Sequence, residues 1–191
     1  MMFFKAITDI VGRDELERVK IEFAVSNGYY CTTKGNFHAT KELADKIQER
    51  MLELAEKDIL ITKKYYPMAK CMKLIRKYGM KDKEKLFRYR RSSGVNLYCL
   101  DGFYDYYYGY MLPHTGYAKY FQVITYGEGF MLVMPDRKEP LKLQPFRAQE
   151  KLYRTLKEAT EWSSHVGIEN VGELNDAICG NPMQEMILWQ E

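Results

Sequence analysis

Val19-Lys20-Ile21-Glu22-Phe23-Ala24-Val25-Ser26-Asn27-Gly28-Tyr29-Tyr30-Cys31-Thr32-Thr33 sets the frame for the rest of the chain. Val19, Ile21, Phe23 and Val25 alternate with Lys20, Glu22 and Ala24, the period of a strand buried on one face. Asn27-Gly28 favours a tight hairpin, so the spacing predicts an antiparallel return through Tyr29 to Thr33. The period then changes. Thr40 can N-cap a helix running to about Lys57, in which Leu43, Ile47, Met51 and Leu54 form one apolar stripe and Lys41, Glu42, Lys46, Glu49 and Arg50 stay wet. A sheet and a helix that are each apolar on one side must bury those sides together.

Working outward, Phe3, Ile7, Ile10 and Val11 lie at helical spacing and Gly12 can end that helix. Only two methionines precede it and neither caps, so the expectation is a shortened chain. After the central helix come a short strand at 59–62 and a helix with Pro67 near its first turn. That helix has Met68, Met72 and Ile75 inward, Gly79 at its end, and a basic outer face of Lys70, Lys73, Arg76 and Lys77. Val95, Leu97 and Cys99 return to period two, and Phe103-Tyr104-Asp105-Tyr106-Tyr107-Tyr108-Gly109-Tyr110 is expected to continue as strand. Segments 120–125 and 130–134 flank Tyr126-Gly127-Glu128-Gly129 as a further hairpin, and 135–145 is a polar connection. Two helices close the chain: 149–163, with Leu152, Leu156 and Ala159 inward, and a short one capped by Asn170 that runs to Gly180. This order is not the alternation of a parallel α/β sheet. It predicts an α+β fold in which one antiparallel sheet, from residues 19–33 and 95–134, wraps a central amphipathic helix, with helices at the C-terminal end. The expected domains are 1–145 and a helical extension, 146–191.

Composition narrows the function. A chain of 191 residues, 46% of them hydrophobic, has the material for a folded core. No apolar run approaches the ~20 residues of a membrane span and no signal peptide precedes the first helix, so the expectation is a cytoplasmic protein with no membrane partner. A net charge of +3 does not by itself indicate a nucleic-acid partner. Cys31, Cys71, Cys99 and Cys179 form no CxxC pair and only three histidines accompany them, so reduced thiols are expected and neither metal nor cofactor. Tyrosine is the over-used residue, with 16 copies, which suggests either a half-buried sheet face or a recognition surface.

Motifs for nucleotide or hydrolytic chemistry are missing: the sequence has no GxxxxGK[ST], HExxH, GxSxG or GxGxxG. His38, His114 and His165 read as hydrogen-bonding residues unless folding brings one against a cysteine. Lys83, Lys85, Arg88, Arg90 and Arg91, with Phe87 and Tyr89 interleaved, read either as a solvated face or as contacts to RNA phosphates and bases.

The hairpin of residues 21–33, the helix followed by Asp58-Ile59-Leu60-Ile61, and Gly109-Tyr110-Met111-Leu112-Pro113-His114-Thr115-Gly116 resemble, in order and spacing, the editing domain of threonyl-tRNA synthetases over residues 3–135. The resemblance implies a hydrolytic pocket with two histidines on the first helix and a later cysteine and histidine. The positions matching them hold Lys5, a site at or before Met1, Tyr107 and Met111, while Gly109, Pro113 and Thr115 are kept. The tyrosine-rich stretch 102–117 further resembles bacterial uridine kinase-like proteins, in which a similar N-terminal part precedes a phosphate-binding-loop kinase domain. That likeness extends through Val171-Gly172-Glu173-Leu174-Asn175-Asp176 to the end of the chain.

What the resemblance implies is a noncatalytic binding or regulatory module whose partners are the kinase domain of the same polypeptide and either tRNA or a small nucleoside or aminoacyl ligand. Its remodelled pocket would draw on Lys5, Tyr104, Tyr106, Tyr107, Tyr108, Met111, His114, Thr115 and Lys119. That pocket is expected to be filled by its own side chains or to hold a planar ligand, with Tyr107 facing away if Tyr106 and Tyr108 face in, unless a bulge near Gly109 changes the phase. Two readings stay open beside this one: a residual editing hydrolase using His114, Lys119 or Tyr107, and an RNA-binding domain.

Overall fold

The computed structural model describes residues 1–180; the last part of the 146–191 extension, 181–191, lies outside the described residues. The helices are α1 (Met2–Val11), α2 (Lys41–Glu56), α3 (Met68–Lys77), α4 (Lys81–Arg88), α5 (Glu150–His165) and α6 (Val171–Gly180). The strands are β1 (Val19–Val25), β2 (Gly28–Thr33), β3 (Ile61–Pro67), β4 (Gly94–Leu100), β5 (Phe103–Asp105), β6 (Gln122–Tyr126) and β7 (Gly129–Val133). The class is α+β with antiparallel pairing. The described residues divide into two compact units, Met1–Lys64 with Tyr98–Tyr153, and Tyr65–Leu97 with residues 154–180.

In the first unit β1, β2, β7 and β6 form one sheet in that order. Ala44, Ile47, Met51, Leu54 and Ala55 of α2 are buried in one cluster with Phe3, Ala6 and Ile7 of α1 and Cys31, Val123 and Phe130 of the sheet. Each fully buried aliphatic chain there, such as Ile47 or Leu54, contributes roughly 1.5–3 kcal/mol. Thr40 caps α2 through its hydroxyl, which accepts the Leu43 N–H at 3.2 Å, and Gly12 closes α1 at φ 93°.

Several expectations are corrected. The first hairpin turns on Ser26-Asn27, with Ser26 at φ 55°, and Gly28 already pairs with Val25. Gly28 is needed for space instead, since a Cβ there would lie 2.7 Å from Met131 Sδ. A bulge at Glu22 breaks the alternation of β1, so that Ile21 is exposed while the Glu22 carboxylate turns inward to the Thr32 hydroxyl at 2.9 Å and Lys20 at 3.0 Å. The strands do not join one sheet, because β3, β4 and β5 form a second one in that order, with β4 in the middle. The aromatic block is strand only to Asp105; Asp105 Oδ1 accepts the Tyr106 N–H at 2.7 Å and the chain leaves the sheet. In α5 Leu152 is exposed and Tyr153 is the buried residue, packed 5.1 Å from Tyr30 and 4.9 Å from Tyr126 between ring centres.

In the second unit Pro67 leads into α3, which buries Cys71 and Ile75. A Cβ on Gly172 would lie 2.6 Å from Lys85 Cβ, so glycine permits the close approach of α6 to α4. Asn170 Oδ1 caps α6 by accepting the Glu173 N–H at 3.0 Å.

The end of α2 fixes the path of the rest of the first unit. Asp58 at φ 47° stops the helix, and its N–H reaches Ala55 rather than Leu54, leaving the Leu54 carbonyl without a helical donor. The Thr115 hydroxyl, 0% exposed, donates to that carbonyl at 2.5 Å and accepts the Ile59 N–H at 2.8 Å. Replacing the hydroxyl by a methyl of equal size orphans two buried backbone groups at about 1–3 kcal/mol each. Thr115→Val should therefore lower unfolding stability in urea by about 2–4 kcal/mol; a loss under about 0.5 kcal/mol would show that the hydroxyl is not what holds this end of the helix.

Candidate functional site

Lys5 lies on the buried side of α1 and is 7% exposed, a position that a cation holds only when its charge is answered. Asp9, one turn further on, meets its ammonium at 2.6 Å, and Asp101 approaches to 3.4 Å. Asp9 also accepts from Arg50 of α2 at 2.8 and 2.9 Å, and Arg50 reaches Glu53 at 2.5 Å. Asp101 is delivered by the turn between β4 and β5, where Asp101 at φ 46° and Gly102 at φ 74° give both central residues positive φ. That is the Asp-Gly hairpin geometry. Arg13 fastens the same hairpin to the end of α1, donating to the Tyr104 carbonyl at 3.0 Å with its guanidinium 4.8 Å above the Phe103 ring.

Tyr107 and Met111 both pack against the core cluster that contains α1. The Tyr107 ring meets Tyr98 edge-on at 6.4 Å, and Tyr98 in turn donates to the Gly109 carbonyl at 2.6 Å. The Tyr107 hydroxyl is buried and has no hydrogen-bond partner among the described residues. Burial, and secondly the negative charge of Asp105, push its pKa well above the ordinary phenol value. A weaker hydrogen-bonding pull from the Asp105 carboxylate acts in the same direction. The phase is opposite to the strand expectation: Tyr107 faces in and Tyr108 is 94% exposed, because 106–110 is not a strand and Gly109 turns the chain at φ 110°. Tyr104 and Tyr106 are half-buried.

The remaining pocket candidates sit at the end of α2. His114 Nδ1 is hydrogen-bonded to Asp58 Oδ1, which also accepts the Gly116 N–H at 2.8 Å, and its ring stacks 4.4 Å from Tyr117. A Cβ at Gly116 would fall 2.0 Å from Asp58 Oδ1, so only glycine allows the arrangement. The His114 hydrogen bond is the main reason that the Asp58 carboxyl titrates below its usual range, with Lys119 adding a smaller pull. Thr115 is spent on the backbone, and Lys119 is exposed.

Of the basic residues, Lys83 pairs with Asp82 at 2.5 Å, Lys85 with Glu173 at 2.9 Å and Arg88 with Asp176 at 3.6 Å. The Glu173 carboxylate keeps Lys85 charged beyond its usual pH. Arg90 lies 5.7 Å from the Phe87 ring, and Arg91 is exposed. Among the described residues no group of three His, Cys, Asp or Glu could hold a metal ion, and no helix is long and apolar enough to cross a membrane.

The structure adds Asp9, Asp101, Asp105, Arg13, Arg50 and Asp58 to the residues read from the sequence. Asp9 was legible as the i+4 partner of Lys5. Asp105 lies within the tyrosine block itself, while Arg13, Arg50, Asp58 and Asp101 meet their partners from distant segments.

Comparison with known proteins finds relatives over part of the chain. It is similar to threonine–tRNA ligases. It is 29% identical over 124 residues to the one from Citrifermentans bemidjiense, covering 65% of this chain and 19% of that protein. It is 32% identical over 108 residues to the one from Burkholderia orbicola and 31% identical over 108 residues to that of Geobacter sp., in both cases covering 56% of this chain and 17% of the relative. The chain thus spans under a fifth of the length of these relatives. No family model matches it. The α+β architecture is consistent with an editing-domain-like fold.

Because the Tyr107 hydroxyl is buried without a partner, deleting it removes a desolvated polar group and little else. Tyr107→Phe should leave the melting temperature unchanged or raise it by a few degrees, on the order of 1 kcal/mol. A clear fall would mean that the hydroxyl has a partner worth keeping.

Proposed function

We propose that this chain is a noncatalytic binding or regulatory module built on the editing scaffold of threonyl-tRNA synthetases, serving a larger polypeptide with a uridine kinase-like catalytic domain. The observation that carries the reading is Tyr107. Where the resemblance places a hydrolytic cysteine, this chain has a buried phenol whose pKa is raised by burial. A neutral phenol is a poor nucleophile, base or metal ligand near pH 7, and the thioether of Met111 offers no proton at all. Lys5, in place of a histidine, is committed to Asp9 and Asp101. The similarity to threonine–tRNA ligases supports the scaffold. The tRNA, small-ligand and kinase partners are part of the proposal.

One observation favours a second reading. Asp58 orients the imidazole of His114, and a carboxylate-oriented imidazole is half of a general-base pair. A hydrolase built on that pair would work away from the Tyr107 position.

The two readings separate in a deacylation assay with seryl-tRNA charged on a threonine-specific tRNA. The chain should leave the ester's lifetime at its uncatalysed value. Turnover that depends on the chain and disappears in His114→Ala would establish the hydrolase instead. A native reading frame that ends at Glu191 without reaching a GxxxxGK[ST] segment would remove the kinase from the proposal.

A further inference from the structure

The net charge of +3 is unevenly distributed. Residues 59–81 contain Lys63, Lys64, Lys70, Lys73, Arg76, Lys77 and Lys81 and no Asp or Glu, so that this stretch carries +7 and all other residues together −4. In the second unit its centre is α3. At about 100° per residue, Lys70, Lys73 and Lys77 fall within an arc of roughly 60° and along about 10 Å of axis. Cys71 and Ile75, on the other side, are buried. All three lysines are exposed, and no carboxylate among the described residues pairs with them; Lys77 has only the Tyr78 ring, at 5.5 Å. On α4 the charges are answered instead, with Lys85 on Glu173 and Arg88 on Asp176.

We propose that the α3 face bearing Lys70, Lys73 and Lys77 binds the phosphate backbone of a single-stranded nucleic acid. It does not rest on the reading given above, since a domain with a working pocket could carry the same face. A row of ammonium groups with no carboxylate paired to it among the described residues matches a regular polyanion. A membrane surface would require a free apolar face, and that of α3 is buried in its own unit. The core of a protein interface is depleted of lysine, whereas here three lysines form the centre of the face. Tyr65 adds what a single strand offers beyond phosphate. Its hydroxyl shares a 3.0 Å hydrogen bond with Ser93 Oγ, and the Ser93 carbonyl accepts the Met68 N–H at 2.9 Å. The ring, 52% exposed, therefore stands beside the first turn of α3, where an unpaired base can stack on it. Lysines contact phosphates as point charges, so RNA and DNA strands of any sequence should bind alike.

The test is fluorescence anisotropy of a labelled 20-nucleotide uridine RNA with the full chain between 50 and 200 mM salt. Three contacts on a single strand should give a log–log salt slope of about 2. The triple variant Lys70→Ala, Lys73→Ala, Lys77→Ala should lose most of that slope and bind at least tenfold more weakly at 50 mM salt. The corresponding triple arginine variant should bind like the wild type, which separates charge from any folding defect. Tyr65→Ala should weaken binding at an unchanged slope. The proposal falls if the RNA does not bind, if the alanine triple variant binds like the wild type, or if only Lys83→Ala, Lys85→Ala, Arg88→Ala abolishes binding. It falls equally if polyglutamate or phosphatidylserine vesicles compete as well as the RNA does.

Discussion

The Leu54 carbonyl that α2 leaves open is the constraint around which the first unit is organised. Once Asp58 stops the helix, a buried carbonyl and the Ile59 N–H both need partners, and one threonine hydroxyl serves both. The backbone follows: the Thr115 N–H bonds the Ile59 carbonyl at 2.9 Å, and the Ile61 N–H bonds the Pro113 carbonyl at 2.8 Å. The segment between β5 and β6 is thereby fixed beside the entry to β3. The other fastening of α2 is also polar. Gln48 accepts the Val123 N–H at 2.8 Å and donates to the Phe121 carbonyl at 3.3 Å, so a helical side chain satisfies the open edge of β6. Apolar burial drives α2 onto the sheet, but these directional bonds set its register there.

This division between apolar drive and polar registration also decides what the sequence shows. Periodicity reports burial, so α1, α2 with its Thr40 cap, the β6–β7 hairpin and the Asn170 cap of α6 are all readable from residue order. What depends on distant partners is not. The bulge at Glu22 is set by where its carboxylate finds Thr32 and Lys20, and α5 turns Tyr153 inward because Tyr30 and Tyr126 are there to meet it. In the tyrosine block, alternation was expected from strand propensity, but Asp105 captures the next N–H and Gly109 reverses the chain. Composition gave the tyrosines; only the turn gave their phase.

Charge is the property that a linear reading handles least well. Lys83, Lys85 and Arg88 stand out in the sequence because they cluster, yet the carboxylates that answer Lys85 and Arg88 lie near residue 175. Lys70, Lys73 and Lys77, spread over two turns of helix, read only as the wet face of an amphipathic helix, yet no carboxylate among the described residues pairs with them. The density of a basic run therefore says little about the field it presents; what matters is whether the fold brings acid to it.

The same logic applies to the site on α1. A lysine at 7% exposure would be costly on its own, and the surrounding residues answer it: Asp9 from its own helix, Asp101 from a turn whose two central residues have positive φ. Tyr107 has no such compensation for its hydroxyl, so the ring's packing on Tyr98 and on the core must outweigh a desolvated phenol. The lysine has two carboxylate partners, whereas the phenol hydroxyl makes no well-formed hydrogen bond among the described residues. That difference makes the tyrosine a filler of volume and the lysine a structural cation.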